Sequence, residues 1–482
     1  MILTFDIGTS SVKGGIFSAE GALLARAEVK VSSKQGRNPL EHEVEAGQWT
    51  EALRSLAGRL ELDGKSFAAL LVSGNGPTLV PVAASGRCLL PAMTWMDRRG
   101  REEASLISEL AGRRVDASFY LPKAAWIQRR RPDIYSQTAY FLTCPDYIDY
   151  VLTGEALTVL PDKGFTRLLW EPGLITALGM EAAKFPQFIA PGVFIGKVTE
   201  AGAAATHLPR GTPVYSGGPD FCMSLLGTGA VRPGRACVRS GTSEGLNLCT
   251  ENPVVDRRLI SLPHIVQPYH NVSGIVSTSG AALDWLVSVL GSNKPDYRRI
   301  FAEIREVPEG ARRLLFLPYL AGERSPHWDP LARGSFVGLT LRHGRAEMLR
   351  AVSESVGFAL RDIMAVMEEN HLKVQELRIT GGQARSEVWN QIKADITQRR
   401  LLLPDCIDSE LLGAACLGLA ALKRYSSPAE AAEAAVRIAA EYEPRPQVEP
   451  VYRELFHLYR KAYSRLKELF VSMGDNAKGE ET

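Results

Sequence analysis

The chain opens on the stretch ILTFDIGTSSVKGGIF, residues 2–17, in which two apolar runs flank a short polar turn. The period-two pattern continues to residue 31, with a second break at SAEG, residues 18–21. We therefore predict three strands that form an antiparallel meander. The first turn, residues 6–11, holds an acid, a glycine and three hydroxyl side chains. This composition is more particular than a hairpin turn requires.

The same turn occurs a second time in the chain. The tripeptide GTS stands at residues 8–10 and again at 241–243, close to half the chain apart and between strand-like runs at both places. A repeat at this distance indicates two related halves. Glycine and hydroxyl residues are common in ordinary turns, but such a turn also offers backbone N–H groups and hydroxyls to phosphate oxygens. We therefore predict that both turns contact phosphate.

The two turns differ at the position two residues before the glycine, which is Asp6 in the first and Arg239 in the second. A carboxylate beside a phosphate-binding turn is repulsive unless a cation lies between them. Asp6 is therefore a candidate ligand for Mg²⁺. The alternative is an Asx-type turn, in which the carboxylate accepts hydrogen bonds from nearby backbone N–H groups.

A second acid follows a pair of glycines in SGGPDF, residues 216–221. Glycines let the backbone approach a ligand closely, and Asp220 then stands at the end of a predicted strand. A carboxylate in this place can accept the proton of an attacking alcohol, as in many kinases. The alternative is a helix N-cap, because DFCMSLLG is a reasonable helix start. The pattern alone leaves both alternatives open.

The composition is that of an ordinary folded protein of 482 residues, with 45% apolar and 23% charged side chains. This length predicts two domains of roughly 200 residues each. A net charge of +2 and dispersed cysteines and histidines argue against a nucleic-acid partner, a disulfide scaffold and a zinc site. No apolar run reaches the roughly 18 residues of a membrane span. We therefore expect a cytoplasmic protein without a membrane partner.

Glycine and proline are dense at residues 227–234, which we interpret as the domain boundary. The predicted organisation is an N-terminal domain at residues 1–228, a C-terminal domain at 235–425 and a helical extension at 426–482.

Six segments, in this order, resemble the FGGY carbohydrate kinases, which phosphorylate sugars, polyols and sugar acids with ATP. The segments are FDIGTSSVKGGIF at 5–17, AMTWMDRRG at 92–100, SGGPDF at 216–221, RSGTSEG at 239–245, LPYLAGERSPHWDPLARGSFVGLT at 317–340 and TGGQARSEVWNQIKADI at 380–396. The resemblance covers residues 1–425, and the fifth segment looks most like xylulokinases and gluconokinases. It implies an α/β fold of two actin-like (ribonuclease-H-like) domains. Each would have a mixed five-stranded sheet flanked by helices, with a cleft between the domains.

The resemblance implies a role for each matched residue. Asp220 falls at the position of the family's general base, and Asp6 falls at the position of its metal-associated acid. The implied nucleotide contacts are Gly8, Thr9, Ser10 and Lys13 around the transferred phosphate, Gly241 and Thr242 in the second phosphate turn, Gly280 and Asp284 beside the nucleotide, and Gly381, Gly382, Gln383 and Ser386 around the adenosine and α-phosphate. ATP is the implied donor, and Mg²⁺ near Asp6 and Asp220 is the implied metal.

The acceptor side departs from the family. Xylulokinases carry Gln-Met-His-Gly where this chain has SGNG, residues 73–76, so Asn75 replaces the histidine that meets the ketose. Phe221 replaces the frequent Asn or Gln after the catalytic acid. The expected substrate contacts are Asn75, Gly76, Trp95, Asp97, Asp220 and Phe221. Lost polar partners discriminate strongly between sugars, so these changes argue against a plain xylulokinase.

We expect ATP-dependent phosphorylation of a hydroxyl of a small sugar, a ketose such as xylulose or a related pentulose, with Asp220 as the base. The alternative acceptors are gluconate, glycerol and other polyols. An actin-like or chaperone-like ATPase has no use for Asp220, and a catalytically silent sugar sensor should lack it. The sequence is also compatible with a homodimer.

Overall fold

The computed structural model describes residues 1–36, 38–291 and 295–475 of the chain. The end of the predicted helical extension, residues 476–482, lies outside the described residues. Among the residues that are described, no helix is both long and apolar enough to cross a membrane.

The chain divides into two compact units. The first unit consists of Met1–Gly227 and Ser409–Ala435, and the second of Thr228–Asp408 and the chain from Val436 onward.

The described residues of the range 1–227 form thirteen strands and eight α-helices. The strands are β1 Ile2–Ile7, β2 Ser11–Phe17, β3 Leu23–Lys30, β4 Lys34–Gln35, β5 His42–Val44, β6 Ala69–Gly74, β7 Leu79–Val82, β8 Ala92–Met93, β9 Tyr140–Thr143, β10 Leu157–Val159, β11 Gln187–Ile189, β12 Phe194–Lys197 and β13 Pro213–Pro219. The helices are α1 Gly47–Arg59, α2 Arg101–Ala111, α3 Tyr120–Arg130, α4 Pro132–Gln137, α5 Cys144–Thr153, α6 Pro172–Ala177, α7 Glu200–Thr206 and α8 Asp220–Gly227.

The described residues after 227 form the remaining elements. The strands are β14 Arg235–Ser240, β15 Glu244–Thr250, β16 Ile260–Pro263, β17 His270–Val276, β18 Leu315–Leu317, β19 Ser335–Val337, β20 Glu376–Thr380, β21 Arg400–Pro404 and β22 Ile438–Tyr442. The helices are α9 Gly280–Val289, α10 Tyr297–Arg305, α11 Arg345–Glu369, α12 Glu387–Thr397, α13 Ser409–Ala421, α14 Pro428–Ala435 and α15 Glu449–Asp475.

The two large sheets share one five-stranded arrangement. In the first unit the order is β3-β2-β1-β6-β13, in which β1 to β3 form the predicted antiparallel meander and β1, β6 and β13 run parallel. In the second unit β17-β15-β14-β20-β21 repeats this order and these directions. The duplication of a mixed α/β sheet confirms the predicted fold class. The predicted number of five strands is too small, because edge strand β12 makes the first sheet six-stranded and edge strands β16 and β22 make the second seven-stranded.

Alternation along β1 separates the hydrophobic core of the first unit from its polar face. Phe5 and Ile7 are buried in a core that also contains side chains of α1 and α5. Asp6 points to the opposite face of the sheet, because successive side chains of a strand alternate. Ile2 lies on that same face and packs against Gly418 of α13. The sheet therefore presents Asp6 toward the layer that contains α13.

Helices α8 and α13 pack closely through two glycines. A Cβ atom on Gly413 would lie 1.8 Å from the Met223 carbonyl oxygen, and one on Gly227 would lie 1.8 Å from the Ser409 carbonyl oxygen. Only glycine permits this backbone contact. The close contact explains why α13 belongs to the first unit, whereas the predicted C-terminal domain, residues 235–425, had included it.

The predicted helical extension, residues 426–482, is also divided differently. Its first helix, α14, belongs to the first unit, and its strand β22 pairs with β21 at the edge of the second sheet. Helix α15 buries Tyr452, Tyr459 and Phe470 in a core of the second unit. The segment is therefore an integral part of both units, because it buries apolar side chains that the rest of each unit would otherwise expose.

Candidate active site

The carboxyl ends of three parallel strands bring the predicted first-unit residues together. Ile7 of β1 is in register with Gly74 of β6, and Gly74 is in register with Pro219 of β13. The residues that follow these three positions are Gly8, Asn75 and Asp220. Ligands of open α/β sheets bind at this edge. Three segments that are far apart in sequence therefore end side by side.

Asp6 lies one residue before the end of β1 and is only 6% exposed. Its Oδ1 accepts a hydrogen bond of 3.1 Å from Ser73 Oγ on β6, and Lys13 is its register partner on β2. The hydrogen bond crosses the sheet, so it is not the turn bond of the Asx alternative. Burial and the charge of Glu410 raise the pKa of Asp6 to about 7, although Lys13 opposes the shift. Asp6 is thus a desolvated acid beside a second negative charge.

The first GTS turn is held at both of its ends. The Gly8 N–H donates to the Ser11 carbonyl at 2.9 Å, and the Ser10 carbonyl accepts from the backbone of the segment that follows β3. The Thr9 hydroxyl accepts a hydrogen bond of 3.0 Å from Trp95 Nε1. The predicted phosphate contact Thr9 and the predicted sugar contact Trp95 are therefore direct neighbours.

Asp220 opens α8 at the end of β13 and is half-buried. Its Oδ1 accepts a hydrogen bond of 2.6 Å from the Phe221 N–H, the next residue of the chain, which is not the bond to the second or third helical N–H that an N-cap side chain makes. A Cβ on Gly217 would lie 1.9 Å from the Val72 carbonyl oxygen, so glycine lets β13 run close beside β6. The Phe221 ring stacks on Phe165, with centroids 5.9 Å apart. The proposed base thus has an aromatic neighbour, and its contact with its own helix orients the carboxylate.

A third acid of this face, Glu410, was not among the predicted residues. It lies in the first turn of α13, and its Oε1 accepts a hydrogen bond of 2.8 Å from Ser224 Oγ. Ser224 stands one helical turn after Asp220 on α8. The helix SELLGAACLG carries no local signal for a site residue, because the position of Glu410 depends on the packing of α8 against α13.

The first-unit site fits a divalent cation of the magnesium type. The charges of Glu410 and Asp220 both raise the pKa of Asp6, and a cation beside Asp6 would relieve this repulsion. Within the part of the chain that the structure describes, no three acid, histidine or cysteine side chains converge closely enough to hold a metal alone. Mg²⁺ is usually held by one or two carboxylates together with water and substrate phosphates. Asp6 and Asp220 suit an ion that arrives with a nucleotide.

Asn75, a predicted substrate contact, is 6% exposed and hydrogen bonded within the protein. Its Nδ2 donates to the Ile7 carbonyl at 2.8 Å, and its Oδ1 accepts from the Thr78 hydroxyl. The amide therefore fastens the loop after β6 to the end of β1. The neighbouring Gly76 leaves space for a tyrosine, because a Cβ there would lie 2.7 Å from the Tyr120 hydroxyl oxygen. Tyr120 therefore packs against the loop after β6, and the sequence did not single it out.

Asp97, another predicted substrate contact, has a structural role that revises the prediction. Its side chain is completely buried and forms an ion pair of 2.7 Å with Arg99. Its Oδ2 also accepts a hydrogen bond of 2.9 Å from the His42 N–H, and Arg99 bonds Glu43 at 2.6 Å. The carboxylate is therefore engaged in internal contacts. We assign Asp97 to positioning the loop that carries Trp95.

Lys123 of α3 holds two loops of this unit together. Its ammonium group is fully buried and donates to the Pro77 carbonyl at 2.6 Å and the Thr94 carbonyl at 2.7 Å. Burial lowers the pKa of Lys123 to about 7. The lysine links the loop after Gly76 to the residue that precedes Trp95. Sequence reasoning missed it, because a lysine in a helical pattern is usually exposed.

The second unit contains a cavity of about 980 Å³ at the second GTS turn. All the predicted second-unit contacts except Gly381 line it, and they are Gly241, Thr242, Gly280, Asp284, Gly382, Gln383 and Ser386. Helix α10 adds Tyr297, Arg298, Phe301 and Arg305, which the sequence did not single out. Aromatic and cationic side chains together suit the base and the phosphates of a nucleotide.

The second GTS turn caps the start of α9. The Ser279 N–H donates to the Thr242 carbonyl at 2.9 Å, and the Gly280 N–H donates to the Gly241 carbonyl at 3.0 Å. The first N–H groups of a helix have no partner within the helix, and here the turn supplies the carbonyls. The turn and the helix therefore form one rigid wall of the cavity.

The remaining predicted residues of the second unit have distinct local roles. Gly381 has a φ of 93°, and a Cβ there would lie 2.1 Å from the Ser240 carbonyl oxygen, so the chain needs glycine at this position. Ser386 is the N-cap of α12. Asp284 accepts a hydrogen bond of 2.5 Å from the Tyr297 hydroxyl. Their contact with a nucleotide stays a prediction.

Comparison with known proteins identifies the family. The N-terminal domain of the FGGY family of carbohydrate kinases matches residues 1–227, and its C-terminal domain matches residues 236–422. The xylulose kinase of Bacillus subtilis (strain 168) is 28% identical over 487 residues, which cover 97% of each chain. The xylulose kinase of Escherichia coli (strain K12) is 30% identical over 426 residues, which cover 83% of this chain and 86% of that one. The crystal structure of xylulose kinase from Rhodospirillum rubrum has a TM-score of 0.81 and 27% identity and covers 97% of this chain and 99% of its own.

The family model likewise has two domains, one for each half of the chain. The matches span nearly the whole chain, and enzymes of this family use ATP to phosphorylate carbohydrates. The predicted family is therefore confirmed, and the chain belongs to the FGGY family of carbohydrate kinases as a sugar kinase.

Proposed function

We propose that the protein transfers the γ-phosphoryl group of ATP to a hydroxyl of a small ketose, such as xylulose or a related pentulose. The observation that supports this proposal most directly is the common edge of β1, β6 and β13. At this edge Asp6 and Asp220 stand on either side of the loop after β6, next to the first GTS turn.

Asp220 is the proposed general base. It accepts the proton of the acceptor hydroxyl while the hydroxyl oxygen forms a bond to the γ-phosphorus. The bond between the γ-phosphorus and the bridging oxygen of ADP breaks in the same displacement. The hydrogen bond from the Phe221 N–H to Oδ1 orients the carboxylate, and the other oxygen is the one proposed to take the proton.

The two GTS turns and Lys13 are proposed to bind the phosphates. Phosphoryl transfer depends mainly on positioning and on stabilising charge, so backbone N–H groups and one ammonium group are suitable partners. Mg²⁺, held near Asp6 and Asp220, would supply the counter-charge that a polyphosphate needs beside carboxylates. ATP is proposed to lie in the second-unit cavity, with its base toward α10.

The ketose assignment rests on relatives that are named xylulose kinases, and the side chains around Asp220 restrict which ketose is proposed. The amide of Asn75 is engaged with Ile7 and Thr78, and the Phe221 ring forms an aromatic surface on Phe165. These side chains therefore provide fewer polar partners at these positions than a histidine and an amide would. An acceptor that presents C–H groups on this side fits best.

An ADP-release assay of the purified protein tests the proposal. The acceptors are xylulose, other ketoses, gluconate, glycerol and other polyols, each at several concentrations with ATP and Mg²⁺. We expect stimulation of ADP release above the ATP-only background, and strongest stimulation with a pentulose. A preference for gluconate or glycerol would keep the kinase and reject the ketose. Stimulation by none of them would support a sensor or an ATPase without an acceptor.

The substitution Asp220→Asn tests the base. It keeps the shape and the contact with the Phe221 N–H but removes proton acceptance, so turnover should fall by about 10² to 10⁴. ATP binding, measured separately, should stay close to that of the unchanged protein. Near-normal turnover would remove Asp220 from this role.

A further inference from the structure

A fully buried ion pair lies in the second unit, between elements that carry the proposed nucleotide contacts. The Lys393 ammonium lies 2.7 Å from Glu244 Oε1 and 2.8 Å from Glu244 Oε2, and both side chains are 0% exposed. Glu244 immediately follows the second GTS turn, and Lys393 lies on α12. Neither side chain lines the cavity itself.

Hydrogen bonds connect this pair to the cavity wall. The Ser279 hydroxyl, at the start of α9, lies 2.7 Å from Glu244 Oε2 and 3.0 Å from Gln383 Oε1. The Gln383 amide in turn donates to the Gly241 carbonyl of the GTS turn. The pair is thus the buried end of a continuous network whose other end is the cavity.

Two further contacts of Lys393 involve the same walls. Its ammonium donates to Ser240 Oγ at 3.1 Å, on the last residue of β14 before the turn. It also lies 4.9 Å from the ring centroid of Trp389, which lines the cavity. Three separate elements, the turn, α9 and α12, are therefore tied to one charged pair.

Stability alone does not account for such a pair. Two charges lose their hydration on burial, and replacing a buried ion pair with apolar side chains of similar volume is often neutral or stabilising. Hydrogen-bonded charges do, however, fix the directions of their partners more strictly than apolar side chains do. The consequence expected here is a fixed geometry of the turn and of Gln383.

We propose that Glu244 and Lys393 are positioning residues for the nucleotide, which set the second GTS turn and Gln383 in the orientation that binds ATP. This proposal rests on the proposed binding of ATP in the second-unit cavity. Loss of the pair lets the turn and Gln383 move, so the affinity for ATP falls. The affinity for the sugar, whose proposed contacts belong to the first unit, does not change.

The decisive variant is the double substitution Glu244→Met with Lys393→Met, which removes both charges and keeps apolar volume in the core. Single substitutions leave one charge buried without its partner, and they can fail to fold for that reason alone. The matched control is Arg350→Met with Glu354→Met. This second buried pair of the same unit has an N–O distance of 2.7 Å and exposures of 5% and 1%, and it does not line the cavity.

The measurements are the dissociation constant for ADP by titration calorimetry, the KM for ATP, the KM for the accepted sugar, and the melting temperature. We expect the first double variant to raise the KM and the dissociation constant for nucleotide roughly tenfold or more, with the KM for sugar changed less than about twofold. The control variant should have the same KM for ATP as the unchanged protein, even if its melting temperature is lower.

Two outcomes would overturn the inference while the proposed function stands. One is a first double variant that is folded and binds nucleotide as tightly as the unchanged protein. The other is an equal rise in the KM for ATP in both double variants, which would reduce the effect to a general loosening of the unit. If the unchanged protein itself failed to bind ADP, the proposed nucleotide site would fail, and this inference with it.

Discussion

Replacing Asp6 by Asn should stabilise the protein in the absence of divalent cations and should do so more strongly as the pH rises. Asp6 is 6% exposed, and burial together with the charge of Glu410 raises its pKa from 3.8 to about 7. Asparagine has the same shape, and its side-chain oxygen can still accept the hydrogen bond from Ser73 Oγ. The substitution therefore removes the charge and keeps the Ser73 contact, with an NH₂ group in place of the second oxygen.

The sign follows from proton binding. Between pH 4 and pH 7 the folded protein holds the proton on Asp6, whereas the unfolded chain has released it, so stability falls as the pH rises through this range. The pKa difference of about 3 units corresponds to about 4 kcal/mol at 1.36 kcal/mol per unit. The contribution of the Asp6 proton to the free energy of unfolding is fully present below about pH 4 and is lost by about pH 8. The asparagine variant lacks this loss.

The assay is urea unfolding of both proteins with EDTA at pH 5.5 and at pH 8.0, and tryptophan fluorescence monitors the unfolding. We expect the variant to be more stable by about 2 kcal/mol at pH 5.5 and by up to about 4 kcal/mol at pH 8.0. The control is Glu155→Gln, which removes one exposed carboxylate of the same unit. Its stability relative to the unchanged protein should not increase between pH 5.5 and pH 8.0. An Asp6→Asn advantage that does not increase with pH would refute the desolvation of this carboxylate.

The same variant tests the metal role. The proposed Mg²⁺ would bind the ionised carboxylate of Asp6, so added Mg²⁺ with ADP should raise the melting temperature of the unchanged protein at pH 8.0. The increase should be smaller for Asp6→Asn, and the turnover of this variant should be low. A stable variant with little activity is the expected result when a charged group is kept for function at a cost in stability.

Three further predictions concern single contacts. His264 accepts the Val266 N–H at Nδ1 and donates from Nε2 to the Ala230 carbonyl, and burial lowers its pKa to about 4, so about 3 kcal/mol of stability should be lost as the pH falls from 6.5 to 4. In melting experiments at pH 7.5 and 5.0, His264→Gln should lose less stability on acidification than the unchanged protein. Lys123→Met should raise the KM for the sugar several-fold and leave the KM for ATP unchanged in steady-state assays, because it releases only the loops that carry the proposed sugar contacts Gly76 and Trp95. Gly413→Ala should destabilise by about 1 to 3 kcal/mol and lower turnover, whereas Gly58→Ala, where a Cβ meets no atom within 4 Å, should not destabilise.

Much of the site was predictable because its signals are local. The alternation of residues 2–31 predicted the meander, and the two GTS tripeptides predicted matching turns in two related halves. Asp6 and Asp220 were predictable as acids at strand ends, because each lies at the end of a strand-like run and two residues from a glycine. Two glycines of the quoted motifs also have a physical reason, since the backbone at Gly217 passes close to Val72 of β6 and the backbone at Gly381 passes close to Ser240 of β14.

The missing residues are those whose partners lie far away in the sequence. Glu410 accepts a hydrogen bond from Ser224, which is 186 residues away in the sequence. Lys393 donates a hydrogen bond to Glu244, which is 149 residues away. No spacing rule links such pairs, and a glutamate or a lysine in a helix is usually exposed. Asp97 was assigned to the sugar for the same reason, because nothing in its local sequence shows that its carboxylate bonds the backbone of His42.

The sequence by itself determined the strand meander, the duplicated GTS turns, the acids at the strand ends and the family. These features depend on side-chain alternation and turn chemistry, which act over a few residues. Only the tertiary structure decided which helix covers Asp6, which charges are buried and which polar side chains are already engaged. Burial and ion pairing depend on every segment that packs around a group, so they exist only once the chain has folded.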